Sequence, residues 1–206
     1  MIERALVLPS PRALLPGLST HDPVAHLREA CSVAVGQFLD DGPERVVVLA
    51  APVGEANQQR GVTVPLGFRV ARRLLGGVTV EEQPALPYTA AALLEDERPT
   101  ALVVMADGSA SRGVKAPGHL HPSAIEFDEA IDAALRAGDA ETLAGLDPEL
   151  ATEVWCQGVP GFRVLGEVAR GREVTAGVTY AEAPYGVAWW VVRWDLGPLP
   201  TGVTLP

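Results

Sequence analysis

Lysine is almost missing from this chain: Lys115 is the only one among 16 basic residues, against 26 acids. The formal net charge is −10 and the pI about 4.8. Such a chain lacks the basic face that nucleic acid or an anionic membrane surface requires. Cysteine is scarce as well. Cys31 and Cys156 form no C-x-x-C and no metal-ligand spacing. Each is read as lying inside an apolar helical pattern, which predicts two buried free thiols instead of a disulfide or a nucleophile. No apolar run approaches the roughly 20 residues of a membrane span. Met1–Leu8 is too short and too charged for a signal peptide, so the expectation is a soluble cytoplasmic protein. No G-x-G-x-x-G follows the first strand and no G-x-x-x-x-G-K-[ST] occurs, which disfavours nucleotide binding.

What is present is a large apolar fraction. Hydrophobic residues make up 48% of 206 positions and the mean hydropathy is +0.17, enough for a sizeable core in one domain spanning residues 1–206. Apolar runs at 2–8, 45–51 and 100–105 read as buried strands. Between them lie helical patterns. Asp22 with Pro23 opens the first, which Asp40-Asp41-Gly42 stops, and residues 66–75 form the second, ending at Gly76-Gly77. Residues 78–80 suggest a short strand, 52–63 a long polar loop, and 88–95 a helix. Ser123 with Glu126 reads as a capping box opening a helix to about residue 137. Asp139, Asp147-Pro148 and Pro160 start three more helices. Segments 174–180 and 187–194 are β-rich, with a turn at Pro184-Tyr185-Gly186, and read as an antiparallel pair. The alternation predicts a three-layer α/β/α sandwich with a mixed, mostly parallel sheet and a C-terminal antiparallel pair.

The run 102–105 breaks into Asp107-Gly108-Ser109-Ala110-Ser111-Arg112. In open α/β sheets, ligands bind beyond the carboxyl ends of the strands. Asp107 there is either a site group or a cap for loop amides. Arg112 and Lys115 either clamp an anion or pair with the chain's own acids. Ser10, Ser109 and Ser111 are either nucleophiles or turn hydroxyls, and nothing in the sequence marks a partnered base. Parallel strands would gather Ser10, Pro52 and Asp107–Arg112 at one edge, with the turn from Glu182 to Gly186, including Tyr185, closing the same cleft. In that cleft Arg112 either binds an anion or pairs with Glu182. Trp189, Trp190 and Trp194 read as core and sheet-face residues.

Four pieces occur in order: Leu8-Pro9-Ser10-Pro11 after the first strand, Ala50-Ala51-Pro52 after the second, Asp107 to Arg112 followed by Lys115-Ala116-Pro117-Gly118, and Ala183-Pro184-Tyr185-Gly186-Val187. Together they resemble the class III extradiol ring-cleavage dioxygenases, catalytic-subunit-B-like, in their short actinobacterial form, with the Memo proteins as distant relatives. The resemblance implies a non-haem iron(II) enzyme in which two histidines and a carboxylate hold the metal and a further histidine acts as acid–base. At the matching positions this chain has Ser10, Ala51-Pro52 and Arg112, none of which replaces an imidazole. The resemblance implies that Glu182 stands in for the family carboxylate.

The four histidines suggest a rearranged site at most. His119 and His121 would point both rings to one face of an extended segment, near Asp107, or simply sit in a surface loop. His21 and His26 read as solvent-exposed. Three function classes follow. The first is a metal-independent protein binding a small anionic or aromatic molecule, with no cofactor. The second is an oxygenase holding Fe(II) or another divalent metal through His119, His121 and Asp107 or Glu182. The third is a structural or interaction subunit. A small molecule is the expected partner, nucleic acid and membrane are not, and a homo-oligomer is left open.

Overall fold

The computed structural model describes residues 1–17, 22–40 and 42–199. Six strands form one sheet: β1 (Ile2–Leu8), β2 (Arg45–Ala50), β3 (Glu81–Pro84), β4 (Thr100–Met105), β5 (Val174–Glu182) and β6 (Trp189–Leu196), in the order β3-β2-β4-β1-β6-β5. The first four are mutually parallel, while β6 runs antiparallel to both β1 and β5. Every residue of β4 is buried, as expected for a central parallel strand covered on both faces.

Alternate side chains of the sheet feed two cores. Leu6, Leu8, Val46, Val48, Val103 and Met105 pack with α1 (Ala25–Asp40) and α3 (Leu66–Leu75). Val7, Val47, Leu49, Leu102 and Val104 pack on the other face with α4 (Thr89–Leu94), α5 (Ala124–Ala137), α6 (Ala140–Ala144), α7 (Pro148–Glu153) and α8 (Val159–Ala169). This is a three-layer α/β/α sandwich. Trp190 and Trp194 face the second core and Trp189 the first, all three buried. No helix among the described residues is long and apolar enough to cross a membrane.

The local signals held where a side chain could act alone. Gly76 and Gly77, both at positive φ, end α3. Asp139 accepts from the Thr142 amide at 3.0 Å, and Asp147 from the Glu149 amide at 2.8 Å, each capping its helix. Other signals failed. Ser123 makes no side-chain cap on α5, and its own amide donates instead to His121 Nδ1 at 3.3 Å. The edge strand β3 lies at 81–84, where Arg45 and Arg72 pair with Glu81 and Glu82, and not at 78–80. The polar segment after β2 contains α2 (Glu55–Gln59), with no buried residue to give it an apolar stripe. Cys156 lies in the turn between α7 and α8, not inside a helix; like Cys31 it is a buried free thiol. His21 and Asp41 lie outside the described residues.

Candidate functional site

Strand register builds the edge. Leu8 pairs with Met105, and Met105 with Ala50, so β1, β4 and β2 end level. Two residues beyond that line stand Ser10, Asp107 and Pro52. Glu182 pairs with Trp189 at the same end of the antiparallel pair, which brings the turn 183–188 there too. Ser10 and Asp107 are in direct contact. The Ser10 amide donates to Asp107 Oδ1 at 2.9 Å, and its hydroxyl donates to Oδ2 at 2.6 Å. Pro52 is exposed.

The loop after β4 is tied down on every side. Gly108 donates to the Ala188 carbonyl at 2.8 Å, and Arg112 to that of Gly186 at 3.4 Å. Gly108 and Gly158 have to be glycine. A Cβ at Gly108 would meet the Trp190 ring at 2.6 Å and Asp128 Oδ1 at 2.7 Å, and one at Gly158 would overlap the Asp107 carbonyl. The Cys156 thiol reaches that same carbonyl at 3.5 Å. Burial raises the Asp107 carboxyl pKa above its ordinary value, and the two donations from Ser10 oppose the rise.

A second carboxylate, absent from the sequence reading, organises the far half of the loop. Asp128 of α5 is 1% exposed. Its Oδ1 accepts from the Ser109 amide at 2.7 Å. Its Oδ2 accepts from the Ser109 hydroxyl at 2.6 Å and from Arg112 Nη1 at 2.9 Å. Arg112 therefore pairs with Asp128 and not with Glu182, because Asp128 is buried beneath the loop. Glu182 lies exposed and accepts from the Tyr180 hydroxyl at 3.2 Å. The signal for Asp128 was in the sequence: it falls on the apolar stripe Ala124, Phe127, Ile131, Ala134, Leu135 of its helix. A carboxylate on such a stripe must find internal partners.

The remaining candidates scatter around the edge. Ser111 is buried, with its hydroxyl unpartnered among the described residues. Tyr185 is exposed at φ +61° and donates its hydroxyl to the Pro23 carbonyl at 3.0 Å, with its ring tilted over Trp189. His119 is exposed and left-handed at φ +59°, and only Leu120 between the two histidines is bridged, to Arg112, so the H-x-H segment is not a strand with both rings on one face. His121 Nδ1 is occupied by the Ser123 amide, and its Nε2 lies 3.8 Å from Glu153. Among the described residues no three His, Cys, Asp or Glu side chains are grouped to hold a metal ion. The iron(II) set that the family resemblance implies does not fit the groups at the strand ends: a serine, a proline, a guanidinium already paired, and one carboxylate already accepting from Ser10.

Two open depressions lie at the other edge of the sheet. One of about 310 Å³ is lined by Glu3, Glu173, Thr175 and Asp195, and one of about 190 Å³ by Glu44, Arg45, Glu81 and Arg98. The cations lining the second are already paired, Arg45 with Glu81 and Arg98 with Asp96, each at 2.6 Å. The strand-end loops remain the better candidate, because there polar groups from separate loops are held together by the fold.

No family model matches the chain, and no curated protein matches it. Among solved structures it is similar in fold to uncharacterized protein JW3007 from Escherichia coli K12. The TM-score is 0.53 and the identity 16%, over 94% of this chain and 99% of that one. The likeness spans the whole sandwich and concerns the fold alone.

Proposed function

We propose that this chain is a cytoplasmic, class III extradiol dioxygenase-like protein that binds a small aromatic molecule at the strand-end edge without a metal. One observation carries the reading: Asp107, at the carboxyl end of the central strand, accepts two hydrogen bonds, both from Ser10. An ionised carboxylate has about four acceptor positions. The remaining capacity suits the hydroxyl groups of a ligand. The exposed ring of Tyr185, held at the same edge in a left-handed conformation that costs energy, supports an aromatic ligand. The missing imidazoles support binding without ring cleavage, since neither Ser10 nor Arg112 can hold iron or shuttle a proton near neutral pH.

A thermal-shift screen with catechol and phenol, run anaerobically with EDTA, tests this. Catechol at a hundredfold excess over its Kd stabilises the native state by about 2.7 kcal/mol. Unfolding temperatures unmoved by either compound overturn the reading.

A further inference from the structure

Arg112 brings a positive charge to the strand-end edge, and Asp128 cancels it at 2.9 Å. We infer that Asp128 is a specificity-determining residue, which makes this edge select uncharged ligands over anions. The inference rests on the small-molecule reading above and deepens it.

The geometry separates two functions of Arg112. Its side chain is 24% exposed, and Nη1 alone is used, so its other guanidinium N–H groups have no partner among the described residues. By shape it could grip a carboxylate or phosphate. By charge it cannot do so strongly. Asp128 is fully buried and pinned by three donations, two from Ser109 and one from Arg112, so it cannot swing away from the guanidinium. Asp107 adds a second carboxylate at the same edge. Asp107, Arg112 and Asp128 together carry a formal charge of −1, and the exposed Lys115 of the same loop brings the sum only to zero. The free N–H groups of Arg112 are left to serve as neutral-ligand hydrogen-bond donors. Converting Asp128 to the isosteric amide removes a negative charge lying behind Arg112, where little solvent screens it. An anion drawn to the edge then meets an uncompensated cation.

The test is calorimetric titration of the full chain, at low salt, with benzoate as the anionic probe and phenol as the neutral one. Wild type binds phenol more tightly than benzoate. Asp128→Asn binds benzoate about tenfold more tightly than wild type, shifts the benzoate-to-phenol affinity ratio toward benzoate, and loses the gain in the Arg112→Ala/Asp128→Asn double variant. Benzoate affinity in Asp128→Asn within about twofold of wild type overturns the inference, as does a gain that survives in the double variant. Should Asp128→Asn fail to fold, the wild type decides: benzoate bound as tightly as phenol overturns the inference. A wild type that binds neither probe refutes the small-molecule reading, while the benzoate gain of Asp128→Asn still stands or falls separately.

Discussion

Ser10 and Asp107, 97 positions apart in the chain, meet through two hydrogen bonds at the carboxyl ends of adjacent parallel strands. The contact joins the loop after β1 to the loop after β4, and it follows from the level register of Leu8 and Met105. It makes Asp107 the pivot of the edge.

Because burial raises the Asp107 pKa, the folded protein holds that proton more tightly than the unfolded chain does. The stability linked to Asp107 is fully present below the unfolded value and is lost as pH rises through the raised folded value. Asp107→Asn, neutral at every pH, lacks this loss. Urea titrations across the acid-to-neutral range should therefore show the variant gaining stability relative to wild type as pH rises. A constant difference would show that Asp107 titrates alike in both states.

Arg112→Ala leaves Asp128 buried with only the Ser109 donors. The expected cost is about 2–3 kcal/mol, the range for losing a hydrogen bond to a charged group with the partner left behind. Urea denaturation measures it. A change under about 0.5 kcal/mol, typical of a surface substitution, would mean that the pair contributes little.

Gly158→Ala places a methyl group against the backbone carbonyl of Asp107, which cannot yield without moving the strand end. Overpacking of this kind costs about 1–3 kcal/mol. Gly177→Ala, exposed in β5 where a Cβ meets nothing within 4 Å, is the control and should be near neutral. Paired melting curves compare the two, and equal losses would contradict the tight approach at Gly158.

Both thiols should be inert in the native state. Burial pushes the Cys31 thiol up to about 12 and raises Cys156 further, so almost no thiolate exists at pH 8. A disulfide reagent that absorbs on thiol release should report no reaction until denaturant is added. Rapid native labelling of either cysteine would show that its helix or turn opens.

Much of the scaffold was legible in the sequence, because β-branched runs and punctuating residues act locally. The strand 2–8, the strand 100–105 and the helix 66–75 follow directly from such signals. The edge was legible through one rule, that parallel strands end together. Its wiring was not. Arg112 has many acids within sequence reach, and only the packing of α5 beneath the loop selects Asp128 over Glu182. Ser123 was misread for a related reason, since the nearby His121 ring reaches the amide that a capping box would have left to Glu126. Of the two readings of the H-x-H pair, the surface loop is the one that fits, because the left-handed backbone at His119 breaks the strand alternation that would have put both rings on one face.

The central claim is that a small aromatic molecule binds at the strand-end edge without a metal. Amide chemical-shift mapping with catechol, anaerobic and with EDTA present, tests it most directly. The account predicts saturable shifts at Ser10, Asp107, Ser109 and Gly186, lost in Asp107→Ala. Shifts confined to the opposite edge, around Glu3, Glu173 and Thr175, or no shifts at all, would contradict it.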